Sequence, residues 1–342
     1  GEAVTIASSQ GFHHWSLRFA EVFAERGGFD LVLGNPPWIL LSFDETGILS
    51  EHDASIQTRR LSAAAVGALR ATALRSTPVR EAYLAEFEEQ EGGKAFLGSV
   101  ANFGLLVGMK TNLYKCFITK GWDTARRSGV TAFLHPEGVY DDPSGGPLRE
   151  HLYPRLVHHY QFINELRLFA EIGNLTKYSL NVYQEGRPRV AFTSAAGLIH
   201  PSTIADSWVH DGLGLVPPLK DDQGRFVTRG HRRRLVGVGL DRLQLFAKLF
   251  DEPGTPALRA RLAVVHSEEV VAVLEKLAEQ PKRLGDLSED YTSTQHWNET
   301  NAQADGTVRR STCFPQAPED WIAQGPHFHI ANPFYQTPNE VC

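Results

Sequence analysis

Cysteine is scarce in this chain. Its 342 residues hold three, Cys116, Cys313 and Cys342, odd in number and far apart. A disulfide framework needs an even, clustered set, so that class is excluded. No apolar run approaches the ~18 residues of a membrane span, and no stretch has a signal-peptide pattern. Internal repeats and low-complexity tracts are also missing. There is no basic excess either: 34 Lys and Arg against 40 Asp and Glu leave a formal charge of −6. That balance argues against a protein that coats nucleic acid indiscriminately. It leaves room for a local basic groove, because phosphate contacts need clustered cations rather than a net surplus. Apolar residues make up 42%, aromatics 10% and charged residues 22%, enough for a packed core. The length suits two domains of roughly 100–200 residues each. The expectation is a globular cytoplasmic protein. Its 14 histidines sit mostly singly and are read as packing or surface residues.

Along the chain, Asp30-Leu31-Val32-Leu33-Gly34 reads as a short buried strand, apolar and bounded by turn signals. Asn35-Pro36-Pro37-Trp38 follows at once, and two prolines remove two ladder donors, so the strand ends there in a rigid loop. Residues 45–90 have helical spacing with a break at Pro78, and Lys110–Arg127 reads as a helix packing Leu113, Phe117, Ile118 and Trp122. Strands are expected at Val130–Leu134, Tyr160–Leu166 and Tyr178–Tyr183, with a helix from about Leu148. This alternation predicts an α/β sheet with a non-parallel edge. After Gly186 come loops rich in Pro, Gly and Asp to about Arg229, then helices over Leu240–Phe250 and Ser267–Glu279. A domain boundary is expected near Arg187–Pro188.

The strand and loop Phe29–Trp38 carry the chemistry. They deliver an amide, two prolines and a large aromatic to the carboxyl edge of an α/β sheet, where such folds place ligands. The Asn35 carboxamide oxygen and the Pro36 carbonyl are two fixed acceptors, suited to the two hydrogens of a planar amine. Accepting both localises the nitrogen lone pair and turns a poor nucleophile into one able to attack an electrophilic methyl group. The interaction strengthens as positive charge grows on nitrogen, so it favours the transition state. Trp38 offers a flat face for a heterocycle flipped out of a duplex. A strand-ending Pro-Pro turn with a buried Trp is the plainer alternative.

Phe12-His13-His14-Trp15, Phe19-Ala20-Glu21-Val22-Phe23 and Gly27-Gly28-Phe29-Asp30, leading into Asn35–Trp38, resemble the large adenine-specific DNA methyltransferases of restriction–modification and phage-defence systems. Thr111–Phe117 resembles that family's helix beside the cofactor and base pocket. Ser128–Pro136 resembles its next strand, Leu148–Leu152 its following helix, and Lys177–Tyr183 its late strand enclosing the flipped base. The resemblance implies a Rossmann-like methyltransferase sheet, its later half present, followed by an irregular α+β target-recognition region. Residues 1–187 would be catalytic, with a helical insertion at about 45–110, and residues 188–342 would read DNA. It also implies methyl transfer from S-adenosylmethionine to adenine N6, with Asn35, Pro36, Pro37 and Trp38 catalytic and Asn112, Lys177 and Tyr178 around the base. The implied partners are double-stranded DNA and other subunits, a nuclease or a helicase of a defence system. A protein glutamine methyltransferase and a catalytically silent specificity subunit are the rival readings.

The family's glycine-rich cofactor turn has no match before Phe29, where about thirty residues leave too little room for a strand–turn–helix unit. The chain is therefore expected to be a fragment, with the main S-adenosylmethionine loop upstream. The rival is a permuted order using Gly237-Val238-Gly239, a weak signal by itself. His231-Arg232-Arg233-Arg234 suits phosphate contacts or a solvated basic loop. Gln295, His296, Trp297 and Asn298, with Arg309 and Arg310 nearby, suit base-edge reading or a hydrogen-bonded structural loop. Asn332-Pro333-Phe334-Tyr335 is read as a turn. Cys313, His327, His329 and Cys342 fit no standard zinc spacing, so no metal is expected. Glu137 and Asp141, after the Val130–Leu134 strand, are read as solvated loop acids because methyl transfer needs no general base.

Overall fold

A computed structural model describes the chain except residues 1, 12, 60, 62, 283–285, 288–300, 303, 304 and 308–342. Six strands form one mixed sheet in the order β1-β2-β4-β3-β5-β6. They are β1 (Phe29–Gly34), β2 (Ala125–Pro136), β3 (Leu156–Ile163), β4 (Lys177–Tyr183), β5 (Ala191–Leu198) and β6 (Val236–Gly239). β1 runs parallel to β2 and β3 parallel to β5, while β4 lies antiparallel between β2 and β3. The carboxyl ends of β1, β2 and β3 therefore meet the amino end of β4 at one edge. The α/β class expected from the sequence is the class observed.

The Leu113–Thr124 helix packs on one face through Tyr114, Ile118 and Gly121, at the 3–4 residue spacing of a helical stripe. Its approach is close: a Cβ on Gly121 would lie 2.6 Å from the Phe133 ring. Only glycine fits there without moving the sheet. Phe117, expected in that core, is instead exposed. Between β1 and β2 the chain is helical over Glu45–His52, Ala63–Ala73 and Thr77–Leu97. Leu49, Ile56 and Val66 give this insertion a small core of its own. Pro78 starts its longest helix, where a missing N–H costs nothing.

Three expectations change. β1 is not buried: Leu31 is 58% and Leu33 71% exposed, since β1 is an edge strand of the described sheet. Only Val32, on the opposite face, reaches the main core. β5, β6 and a helix over Ser202–Val209 occupy a region read as mostly loop. β5 pairs with β3 through His158↔Thr193 and His159↔Ser194, so the sheet continues past the boundary expected near Arg187–Pro188. The chain divides compactly into Gly1–Glu279 and Gln280–Cys342 instead. The Leu240–Phe250 helix stands as expected, and the last one runs over Glu268–Ala278. No helix among the described residues is long and apolar enough to cross a membrane.

Candidate functional site

Asn35 leaves the end of β1, one residue past the Gly34↔Phe133 pair. Pro36 is buried, Pro37 and Trp38 are half-buried, and Asn35 is exposed. The two prolines fix φ through the turn, so the amide is held without freezing flexible backbone. Among the described residues nothing hydrogen-bonds the Asn35 carboxamide. Trp38 folds back over the sheet edge, and its Nε1 donates to the Leu134 carbonyl of β2 at 3.4 Å. The next residues are pinned as well. Leu41 N donates to Thr111 O at 3.2 Å and Leu113 N to Ile39 O at 3.0 Å, making a Leu40↔Asn112 bridge. Asn112 thereby lies opposite Leu40, two residues past Trp38. Its Oδ1 is buried without a hydrogen-bond partner, an expensive state for an amide unless a donor arrives.

Tyr178, at the start of β4, joins Trp38 with ring centroids 5.9 Å apart, and Phe169 stands 5.1 Å from Trp38 and 5.0 Å from Tyr178. Phe162 stacks on Tyr178 at 5.6 Å. These rings and Trp38 make an aromatic wall at the carboxyl edge of the sheet. Lys177 is exposed and, by alternation, lies on the other face of β4 from Tyr178. Phe169 was not foreseen, nor was the residue that places it. Asn164, 1% exposed, ends β3 and binds its own loop: Nδ2 donates to the Phe169 and Ile172 carbonyls, and Oδ1 accepts from Phe169 N at 3.1 Å. A loop-starting Asn ahead of Gly173-Asn174 signals a turn, but nothing in the sequence aims that turn at Trp38.

On the opposite face, Glu137 is buried rather than solvated, which corrects the reading from sequence. Gln161 Nε2 donates to its carboxylate at 2.7 Å, and one ring nitrogen of His159 lies 3.2 Å from both carboxylate oxygens. The other ring nitrogen meets Ser194 Oγ at 2.9 Å. Burial pushes the Glu137 carboxyl up, but His159, Ser179 and Gln161 outweigh it and hold the group down at about 2. The network continues through Asn181, which donates to Ser179 Oγ and accepts from Tyr140, and through Tyr183, which meets His135 at 2.9 Å. Burial draws His135 down to about 4. Asp141 is exposed and is raised by burial and by Glu137.

The triple arginine is mainly structural. Arg234 is 1% exposed and donates to the Arg229 and Gly197 carbonyls, which corrects its reading as a phosphate contact. Arg233 is ion-paired to Glu269, and Arg232 lies over the Trp208 ring at 5.0 Å with its side chain exposed. Gly237-Val238-Gly239 is strand, paired with Phe192 and Ala191, and Glu268 already takes the Gly237 N–H. Gln295, His296, Trp297, Asn298, Arg309 and Arg310 lie outside the described residues, as do Cys313, His327, His329, Cys342 and Asn332–Tyr335. No group of three metal-ligating side chains occurs among the described residues.

No family model matches the chain. No curated protein matches it. Among solved structures it is similar to the methyltransferase subunit of a type I restriction–modification system from Streptococcus thermophilus, at 13% identity over 53% of this chain and 29% of that one, with a TM-score of 0.28. A type I restriction–modification assembly aligns at 12% identity over 82% of this chain and 46% of that one, with a TM-score of 0.31. The DrdV–DNA complex aligns at 14% identity over 52% of this chain and 16% of that one, with a TM-score of 0.28. The chain spans less than half the length of each of these proteins.

Proposed function

We propose that the chain carries the target-amine site of an adenine-N6 DNA methyltransferase of the restriction–modification type. The observation that supports this most is the unbonded Asn35 carboxamide, held by Pro36 and Pro37 at a sheet edge beside the half-buried Trp38. In this reading Asn35 Oδ1 and the Pro36 carbonyl accept the two amine hydrogens. The nitrogen is drawn toward tetrahedral geometry, and the same acceptors stabilise positive charge as it grows there. Trp38 stacks on the flipped base, with Phe169 and Tyr178 buttressing its ring. Asn112 Oδ1 is a further acceptor at the same loop.

S-adenosylmethionine is the methyl donor this reading calls for. Gly237–Gly239 does not fit as its glycine turn, because that backbone is spent on β5 and Glu268. Residues 188–342 are proposed to contribute DNA contacts, with Arg232 the most available of the three arginines. Tritiated methyl transfer to a duplex by Asn35→Ala tests the reading. Losing a transition-state contact of this type costs about 3–4 kcal/mol, so the rate should drop by at least a hundredfold with duplex affinity unchanged. Activity within a few-fold of wild type overturns the assignment.

A further inference from the structure

Arg149 is a buried guanidinium that no carboxylate among the described residues contacts directly. It sits in the Gly146–Leu152 helix at 1% exposure, a rare state for arginine without a carboxylate. Nε donates to the Arg259 carbonyl at 3.0 Å, and Nη1 to the Val139 and Asp142 carbonyls at 3.2 and 2.8 Å. Among the described residues Nη2 has no partner and no carboxylate lies within ion-pair distance. Burial, with the nearby Arg261 charge, draws this guanidinium below its ordinary range, and the acids Asp251 and Asp142 offset that only in part.

Arg149 lines an open cleft of about 600 Å³ between the Pro143–Pro147 turn and the Asp251–Arg261 segment. The other charges there are mostly committed. Asp251 spends both oxygens on Arg261, through Nε at 2.7 Å and the backbone N–H at 3.0 Å. Arg259 pairs at 2.8 Å with Glu150, which is not part of the lining. Glu252 is an exposed acid on the lining. The cleft also connects to the candidate site. Asn112 bridges Leu40, two residues past Trp38, Lys115 in the helix that Asn112 caps pairs with Asp142 at 3.1 Å, and the Asp142 carbonyl holds Arg149.

We infer that this cleft binds a phosphate group, with Arg149 as its buried donor and Arg259 as a second, more exposed one. A phosphate oxygen at Nη2 would complete the planar fork and supply a direct countercharge. The group could be a DNA backbone phosphate, in which case the inference rests on the function proposed above, or a free phosphate.

Two cleft variants test it without disturbing the buried Arg149 bonds. Ser144→Glu puts a carboxylate on an exposed lining position, and Arg259→Gln removes the more exposed cation. Thermal unfolding of the 342-residue chain is followed against inorganic phosphate, with chloride at matched ionic strength as reference. Wild type should gain about 2–4 °C saturably, and both variants should lose that gain while melting normally without phosphate. A duplex oligonucleotide then separates the sources. If the phosphate is DNA's, Ser144→Glu weakens duplex binding several-fold, and Arg259→Gln lowers the salt slope by about one. If duplex binding is unmoved while the phosphate gain disappears, the site takes free phosphate. No saturable gain in wild type, or an equal gain in both variants, overturns the inference. Methyl transfer is not read, so failure here leaves the Asn35 assignment untouched, and the converse also holds.

Discussion

The two faces of β3 and β4 are made by the same strands and could hardly differ more. On one face Tyr160↔Leu180 and Phe162↔Tyr178 present rings and aliphatics, and Trp38 and Phe169 dock on them. On the other, His159↔Asn181 and Gln161↔Ser179 present polar groups under the Leu113–Thr124 helix, and Glu137 is buried among them. Side chains alternate along a strand, so each aromatic that faces the site has a polar neighbour facing inward. The aromatic face is specified by contact area and tolerates approximate shapes. The polar face is specified by bond count: a buried carboxylate is tolerable only because His159, Gln161 and Ser179 meet it. That difference is one of rigidity: a hydrogen-bonded network stands behind β4, with Gln161 Oε1 left unpartnered in it, while packed rings alone stand in front.

That contrast can be broken from the polar side first. Glu137→Ala leaves His159, Gln161 and Ser179 facing an empty site, and each buried donor left unsatisfied costs about 1–3 kcal/mol. Urea unfolding should show that loss, and a change under 1 kcal/mol would mean the network is not what holds the strands. The second test uses pH. His135 is held at about 4, below its ordinary 6.5, so the unfolded chain takes up its proton first. Its contribution is complete above pH ~6.5 and is lost as pH falls toward 4, on the order of 3 kcal/mol. Glu137, held at about 2, adds a further loss below its ordinary value of 4.5. Urea midpoints between pH 7 and 4 should fall steadily, and His135→Gln should flatten the upper part of that slope.

Trp38 probes the aromatic face with a smaller energy. Under the proposed function a base stack is worth about 1–3 kcal/mol, so Trp38→Ala should lose most methyl transfer while Trp38→Phe keeps much of it. Equal losses that track a lowered melting temperature would mark Trp38 as packing alone. Smallest is Tyr140→Phe, which deletes one hydroxyl donating to Asn181. It should cost about 1 kcal/mol, measured as a shift of the urea midpoint with the slope unchanged.

Much of the fold was legible where local pattern and burial agree. The run Val130–Leu134, the alternation in Tyr178–Tyr183 and the Leu240–Phe250 stripe each announce their element. Ala191–Leu198 does not. Its Ser, Ala and Gly residues carry little strand preference, and they are extended because β3 and β6 supply partners on both sides. Glu137 was misread for a related reason: an acid after a proline at a strand end looks solvated until three distant donors converge on it. Arg234 belongs with it, since an arginine in a basic run gives no sign that carbonyls 5 and 37 residues away will enclose it.

The sequence by itself determined the Asn35–Trp38 turn. Two prolines after an apolar strand leave the backbone few conformations, so that local chemistry is independent of what surrounds it. Which groups gather around the turn was decided only by tertiary structure. Asn112 arrives through a single bridge, Tyr178 through an antiparallel register and Phe169 through the bonds of Asn164. The Asn164 bonds are local, but the bridge, the register and the Trp38–Phe169 contact join segments far apart in the chain, and these depend on packing and hydrogen-bond closure across the sheet, which no local run of residues encodes.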